Sequence, residues 1–188
     1  MKKIFLLPLL ILTVALSASA QPGSKRQFKV YGVAFYNLEN LFDTIPNNPL
    51  GRDVEFTPGG ARQWNHKKYW SKIQNLARAI SSFTSKQTPY GPAIIGVSEI
   101  ENRSVLVDLV NDPQLKPWNL QICHHDSPDK RGVDVGLLYN PRYFKVENVT
   151  NHTLTEIGFA TRDQMCVVGK LLGSPLAVIV NHWPSRLG

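Results

Sequence analysis

The 188-residue sequence has little cysteine, and its one long apolar run lies within the first twenty residues. Its two cysteines are too few for a disulfide-stabilised scaffold, and no Cys-x-x-Cys pair indicates a zinc site. No internal repeat with a period of about 20–50 residues is found, which excludes a repeat array. The 13 glycines and 13 prolines are too scattered for a fibrous or low-complexity chain. These absences leave a globular protein of a length that can bury a core.

The N-terminal segment has the pattern of a secretory signal peptide. Lys2 and Lys3 precede an apolar run over residues 4–16, and a small-x-small cleavage pattern follows at Ala18 and Ala20. The run is shorter than the about 20 apolar residues that a membrane span needs. We therefore predict an exported protein that is periplasmic or extracellular, although an uncleaved membrane anchor is the alternative.

Removal of residues 1–20 leaves 168 residues with a net charge of +5, and residues 21–27 are predicted to be mobile. No other stretch of the sequence is long and apolar enough for a membrane span. Export permits a disulfide between Cys123 and Cys166. Both cysteines fall in apolar, strand-like runs, however, where a buried free thiol is equally compatible with the sequence.

Helical and strand patterns are distributed unevenly along the chain. Apolar residues recur at helical spacing over residues 64–83, and a second helix is expected over residues 104–110. A long loop rich in Pro, Asn and Gly spans residues 43–60. Seven strands are predicted, over residues 28–38, 93–98, 120–124, 133–139, 143–150, 164–172 and 176–182. This order predicts a mixed sheet with antiparallel hairpins, covered by helices on one face.

Three polar residues stand at the ends of apolar strands, where loops converge and sites form. Asn37 ends the first strand, Glu99 the second and His182 the last. A carboxylate, an amide and an imidazole at one sheet edge indicate a divalent-metal site for phosphoryl chemistry. Each residue also has an ordinary structural interpretation, as a turn former, a helix cap or a hydrogen-bonding histidine.

Four sequence blocks containing these residues resemble, in their order, the endonuclease/exonuclease/phosphatase superfamily. They are FYNLENLFD (35–43), PAIIGVSEIEN (92–102), RGVDVGLLYNP (131–141) and VIVNHWPSR (178–186). The sequences of these blocks are most similar to those of exported bacterial members. The resemblance implies an α/β (α+β) fold, a four-layer sandwich of two mixed sheets flanked by helices, with the domain at residues 28–188.

The resemblance also implies roles for single residues. Glu99 corresponds to the family's metal-binding glutamate, which implies Mg²⁺, or Mn²⁺ or Ca²⁺, as the cofactor. Asn37 is similar to the asparagine that supports the metal and phosphate site. His182 is similar to a catalytic histidine that hydrogen-bonds the scissile phosphate, and Arg162 resembles, more loosely, an arginine that contacts phosphate.

Asp134 is a further catalytic candidate, because a carboxylate within a strand needs a partner. That partner is either His182, whose tautomer a carboxylate would fix, or Arg131 through a salt bridge. Arg131 borders a loop that is predicted to meet the substrate phosphate. The adjacent His124 and His125 lie beside the same loop, but strand neighbours point to opposite faces and are a poor metal pair.

Two phrases of the family, Gly-Asp-x-Asn and Ser-Asp-His, do not occur in this sequence. We therefore expect about the N-terminal half of the domain, truncated at its C-terminal side. The expected parent is a monomeric, divalent-metal-dependent phosphoesterase, most consistent with a nuclease that hydrolyses phosphodiesters in nucleic acid. One alternative is a phosphatase or phosphodiesterase acting on a small phosphate ester or a phospholipid head group. Another is an inactive remnant or a phosphate-binding module.

We predict that the purified 188-residue chain has little or no hydrolytic activity, because the residues expected to activate water belong to the two missing phrases. The measurement is plasmid nicking in the presence of Mg²⁺, followed on an agarose gel. Robust Mg²⁺-dependent cleavage that is abolished by Glu99→Ala would contradict the prediction.

Overall fold

The computed structural model describes residues 28–48, 51–155 and 158–183. The predicted signal peptide and the segment 21–27 lie outside these residues. The described chain forms seven strands, two α-helices and two short 3-10 turns, Val54–Phe56 and Lys116–Trp118. The helices are α1 (His66–Ser81) and α2 (Arg103–Asn111). The strands are β1 (Val33–Leu41), β2 (Ile94–Ile100), β3 (Gln121–His124), β4 (Asp134–Tyr139), β5 (Phe144–His152), β6 (Gln164–Leu171) and β7 (Ser174–Val180).

The strands form two sheets that pack face to face. The first has the order β1-β2-β4-β3, with β1 parallel to β2 and the other pairs antiparallel. The second is an antiparallel meander of β5, β6 and β7. The two helices cover the outer face of the first sheet, which gives three layers in the described residues. The predicted α+β sandwich of two sheets with helices outside is thereby confirmed.

An asparagine caps the N-terminus of each helix, and each helix buries one apolar face. The side chain of Asn65 accepts a hydrogen bond from the Lys68 amide at the start of α1, and Asn102 does the same for two amides of α2. The apolar stripe of α1 packs on the first sheet through Tyr69, Ile73, Leu76, Ala77 and Ile80. The sequence period had predicted both helices to within two residues of their ends.

Strands β2 and β4 are buried on both faces, because helices cover one face and the second sheet the other. That position explains the continuous apolar sequence of β2. The second sheet packs against the first through its inner face. Side chains along β6 accordingly alternate between buried Met165 and Val167 and exposed Val168. A side chain at Gly169 would lie within 2.7 Å of the Phe144 ring, so the glycine makes room for this buried aromatic residue.

The first strand differs from its predicted bounds. It begins at Val33 rather than residue 28, and it continues to Leu41 through a bulge that the apolar pattern does not show. Within the long loop, the 3-10 turn brings Phe56 onto Phe42, with the rings stacked at a centroid distance of 4.0 Å. None of the helices in the described part of the chain is long and apolar enough to cross a membrane.

We predict that the two thiols react at different rates. Both are free; Cys123 is buried between the sheets, whereas Cys166 is half-buried on the outer face of the second sheet. Burial raises the pKa of the Cys123 thiol, which lowers its thiolate fraction. In Cys123→Ser and Cys166→Ser variants, a disulfide reagent should therefore modify Cys123 at least about tenfold more slowly than Cys166. Equal rates would contradict this burial.

Candidate metal and phosphate site

The candidate site forms where β1 and β2 end in adjacent bulges. Glu99 is an extra residue in β2, because Ser98 and Ile100 pair with consecutive residues of β4. The neighbouring bulge in β1 contains Glu39 and Asn40. All three bulge residues have left-handed backbone, with φ of 54° at Glu39, 57° at Asn40 and 59° at Glu99. Such conformations cost about 1–3 kcal/mol each for residues other than glycine, and they redirect side chains out of the pleat.

The bulges bring Glu99 together with Arg131 and His182. The carboxylate accepts a hydrogen bond from the Asn40 amide at 3.0 Å through Oε2. Its other oxygen, Oε1, lies 3.3 Å from Arg131 Nη2 and 3.6 Å from His182 Nε2. Arg131 also donates to the Asn40 side-chain oxygen at 2.6 Å. Three of the residues singled out in the sequence thus lie in one cluster, supplied by β2, the loop before β4 and the segment after β7.

Asn37 acts on the cluster through the backbone in this structure. Its Oδ1 accepts a hydrogen bond from the Glu39 amide at 2.7 Å, which shapes the bulge of β1. The same bulge holds the Asn40 amide against Glu99. The role that the resemblance implies for Asn37 stays a prediction.

The donor set of the cluster fits a hard divalent cation. Mg²⁺ prefers oxygen ligands, and Glu99 offers a carboxylate oxygen, Oε1, whose neighbours in the described part of the chain are Arg131 and His182. Both contacts are longer than the about 2.7–2.9 Å of strong charge-assisted bonds, so a cation could take this oxygen if the Arg131 guanidinium, which is half-exposed, moved aside. Glu99 would hold the ion, with the amide oxygens of Asn37 and Asn40 at the same sheet edge.

His182 is held in a partly buried, cationic environment. Burial, followed by the positive charge of Arg162, lowers its pKa, and the Glu99 carboxylate opposes that shift. Its Nδ1 is buried and has no hydrogen-bond partner among the described residues. A neutral imidazole with its proton on Nε2, the nitrogen that faces Glu99, fits these surroundings.

Arg162 lies behind His182 rather than beside Glu99. Its side chain is 8% exposed, and Nε donates to the His182 carbonyl oxygen at 2.7 Å. Nη1 forms an ion pair of 2.9 Å with Asp129 Oδ2, and Nη2 donates to the Trp183 carbonyl at 3.4 Å. The guanidinium therefore fixes the backbone that carries His182. A contact of Arg162 with phosphate stays a prediction.

Asp129, which sequence reasoning missed, links this arginine to the rest of the cluster. Its second carboxylate oxygen accepts the Arg131 amide at 2.9 Å, and its carbonyl accepts from the Gly132 amide and the Arg52 side chain. Asn40 was missed as well. Asp129 lies in the turn sequence DKRG, and Asn40 is the second asparagine of NLEN. No spacing pattern distinguishes either residue from an ordinary turn former.

His182 and Arg131 were the expected partners of Asp134, and this expectation is wrong: neither binds its carboxylate. Its carboxylate lies 3.1 Å from His124 Nε2 and accepts the Ser127 amide and hydroxyl at 2.9 and 2.6 Å. The reason is the hairpin: β3 runs antiparallel to β4, and the loop between them returns Ser127 to the start of β4. His125 points the other way, with Nε2 3.8 Å from Asp163, as the alternation of strand side chains predicts.

A second glutamate, Glu101, follows the bulge but does not join the cluster. Its Oε2 accepts the Asp43 amide at 2.8 Å. Burial, and then the nearby carboxylates of Asp43, Asp53 and Asp134, raise its pKa to about 8.

Residues 32–188 match the model of the Endonuclease/Exonuclease/phosphatase family. The chain belongs to this family. Its members are hydrolases that act on phosphate esters, in keeping with a carboxylate, an arginine and a histidine gathered at the sheet edge. The comparison with curated proteins found no match.

Solved structures similar to this chain include TDP2 from C. elegans, with 15% identity and a TM-score of 0.44 over 61% of this chain and 31% of that one. A functionally unknown conserved protein from Enterococcus faecalis V583 has 14% identity and a TM-score of 0.48, covering 80% and 52%. ANGEL2, a 2′,3′-cyclic phosphatase, has 15% identity and a TM-score of 0.40, covering 58% and 30%. The chain thus spans 30–52% of the lengths of these three structures.

We predict that Arg162→Gln lowers the free energy of unfolding by about 3–5 kcal/mol, because it leaves Asp129 as a buried charge without its partner. Arg162→Lys should not restore stability, since one ammonium cannot reach Asp129 and two carbonyls at once. The measurement is urea denaturation. Arg62→Gln is the matched control: its ion pair with Glu55 is half-exposed, so the change should stay below about 1 kcal/mol. Wild-type stability of Arg162→Lys would contradict the argument.

Proposed function

We propose that this chain carries the metal- and phosphate-binding part of a Mg²⁺-dependent phosphodiesterase that acts on nucleic acid. The observation that supports this most directly is the Glu99 carboxylate in its bulge, with Arg131 and His182 beside the same oxygen. A carboxylate for the cation, a guanidinium for the phosphate and an imidazole are the groups that phosphodiester hydrolysis requires.

The proposed role of each side chain in the cluster follows from its charge. Glu99 would hold Mg²⁺, which would supply positive charge to neutralise the phosphoryl oxygens. The Arg131 guanidinium, 48% exposed, donates to a phosphate oxygen when the substrate replaces its contact with Glu99. Neutral His182 donates from Nε2 to the scissile phosphate, and Arg162 keeps it in place from behind. Water is the nucleophile.

A groove beside the site favours a nucleic-acid strand over a small ester. It has a volume of about 470 Å³ and begins at Glu39, within the β1 bulge. Trp64 and Tyr36 line it together with Lys68 and Lys72, and the Lys72 ammonium lies 5.8 Å from the centre of the Trp64 ring. Aromatic faces that stack on bases and lysines that neutralise phosphates are the two elements of single-strand binding.

The alternatives predict a different use of this groove. A phosphatase or phosphodiesterase for a small ester or a phospholipid head group needs the Glu99 cluster but no extended lysine surface. An inactive remnant or a phosphate-binding module needs Arg131 without a metal. We also propose export of the protein to the periplasm or beyond, on the basis of the N-terminal sequence, and a monomeric state.

The test is binding of an unmodified DNA single strand of about 12 nucleotides, which the chain is predicted not to cleave, followed by fluorescence anisotropy with and without Mg²⁺. We expect Mg²⁺ to tighten binding and Glu99→Gln to remove that effect. The double variant Lys68→Gln/Lys72→Gln should weaken binding about tenfold at either Mg²⁺ level, because two phosphate contacts are lost. Lys145→Gln, on an exposed position of β5, is the control and should bind normally.

Two outcomes would contradict the proposal. Binding that does not depend on Mg²⁺ or on Glu99 would indicate a phosphate-binding module. Unchanged binding in the lysine double variant, together with full competition by a small phosphate monoester, would indicate a small-ester substrate.

A further inference from the structure

A small cavity lies beside His182, between the segment that precedes β6 and the segment that follows β7. Its volume is about 10 Å³, and one water needs a cavity of about 10–15 Å³. Three of its lining residues each have one buried polar atom without a hydrogen-bond partner among the described residues. These atoms are Asp163 Oδ1, Asn181 Oδ1 and His182 Nδ1. Buried polar groups are normally hydrogen-bonded, so the three atoms point to a shared water.

The register of the second sheet places Asp163 opposite His182. Met165 of β6 pairs with Val180 of β7, and the same antiparallel register continued by two residues joins Asp163 to His182. In a regular pair, such residues share a face and have Cβ atoms about 4.5–5.5 Å apart. The hydrogen bond of 2.7 Å from Arg162 Nε to the His182 carbonyl shows that the two segments stay adjacent beyond the strand ends.

Asp163 keeps one carboxylate oxygen for this neighbour. The residue is 5% exposed, and its Oδ2 lies 3.8 Å from Nε2 of the half-exposed His125. Its Oδ1 is the oxygen without a partner. A carboxylate oxygen accepts hydrogen bonds, and so does the unprotonated nitrogen of a neutral imidazole. A water satisfies both atoms with its two O–H groups and fits the volume of the cavity.

We propose that one buried water donates hydrogen bonds to Asp163 Oδ1 and to His182 Nδ1, which makes Asp163 a positioning residue for His182. A hydrogen bond accepted by Nδ1 keeps the ring proton on Nε2, the nitrogen 3.6 Å from Glu99 Oε1. A carboxylate in direct contact with Nδ1 would select the opposite tautomer. The use of this tautomer to contact phosphate rests on the proposed function, whereas the water bridge does not.

Asn181 Oδ1 allows a competing arrangement of the same water. The water would then donate to Asp163 and Asn181 and accept a hydrogen bond from a protonated His182 Nδ1. The Glu99 carboxylate opposes this arrangement, because it favours a proton on the ring nitrogen that faces it. The two arrangements differ in the tautomer of His182, which can be measured.

The experiment is ¹⁵N NMR of the full 188-residue chain, labelled at its histidine nitrogens, at about pH 8, where an ordinary imidazole is neutral. His182→Gln assigns the His182 signals among those of the five histidines. We expect at least about nine-tenths of His182 in the form protonated on Nε2.

Two substitutions of Asp163 should change the tautomer of His182 in different ways. Asp163→Glu should invert it, because the added methylene carries the carboxylate into the place of the water, where it accepts a hydrogen bond from Nδ1. Asp163→Leu removes the acceptor and should leave a mixture of the two tautomers. Asp126→Glu is the matched control, since this carboxylate is 86% exposed and lies beside another histidine, His124. The control should leave the His182 signals unchanged.

The proposal is overturned if His182 of the wild-type chain carries its proton on Nδ1, or if Asp163→Glu leaves the wild-type tautomer in place. Binding of the unmodified DNA strand in Mg²⁺ separates this inference from the proposed function. Asp163→Glu should weaken that binding about tenfold, because Nε2 of the inverted ring no longer donates to phosphate. An inverted tautomer with unchanged binding would support the water bridge and contradict the proposed phosphate contact of His182.

Discussion

The buried ion pair between Arg162 and Asp129 is the interaction on which the rest of the site depends. Arg162 lies between β5 and β6 of the second sheet and donates to the carbonyls of His182 and Trp183, whereas Asp129 belongs to the loop between β3 and β4 of the first sheet. Asp129 in turn fixes the amide of Arg131. The single pair thus sets the position of two groups that meet Glu99 from different sheets. A buried pair of this kind is worth more for geometry than for stability.

The Glu99 carboxylate has longer side-chain contacts than the two strongest contacts of the arginine behind it. Arg162 makes its two strongest contacts at 2.7 and 2.9 Å, whereas Glu99 meets Arg131 and His182 at 3.3 and 3.6 Å. This contrast is what a pre-organised site requires. Arg162 is hydrogen-bonded to groups of the protein itself, whereas Glu99 and Arg131 keep the capacity to bind a ligand. The lowered pKa of His182 contributes, because a neutral ring competes with a cation for the Glu99 carboxylate less than a charged imidazolium does.

Sequence reasoning succeeded where the physics is local or periodic. The helical stripe of α1, the buried run of β2 and the alternation of β6 each leave a pattern that reads directly as structure. The meeting of Glu99 with His182 followed from strand ends that converge and from the family resemblance. The partner of Asp134 could not be predicted, because it depends on how the β3–β4 loop folds back. The bulges could not be predicted for a related reason: they depend on hydrogen bonds that the Glu39 and Asn40 amides donate to Asn37 Oδ1 and to the distant Glu99 Oε2.

The left-handed backbone at Glu99 lowers stability at the residue on which the proposed site depends. A glycine there would adopt the same φ of 59° without steric cost, and the chain would relax. A glutamate at this position therefore costs stability relative to glycine, as is common for strained residues in functional sites. The same backbone disfavours valine and isoleucine, whereas glycine, asparagine and aspartate adopt it most readily. The fold thus restricts the chemistry available at position 99 before any ligand arrives.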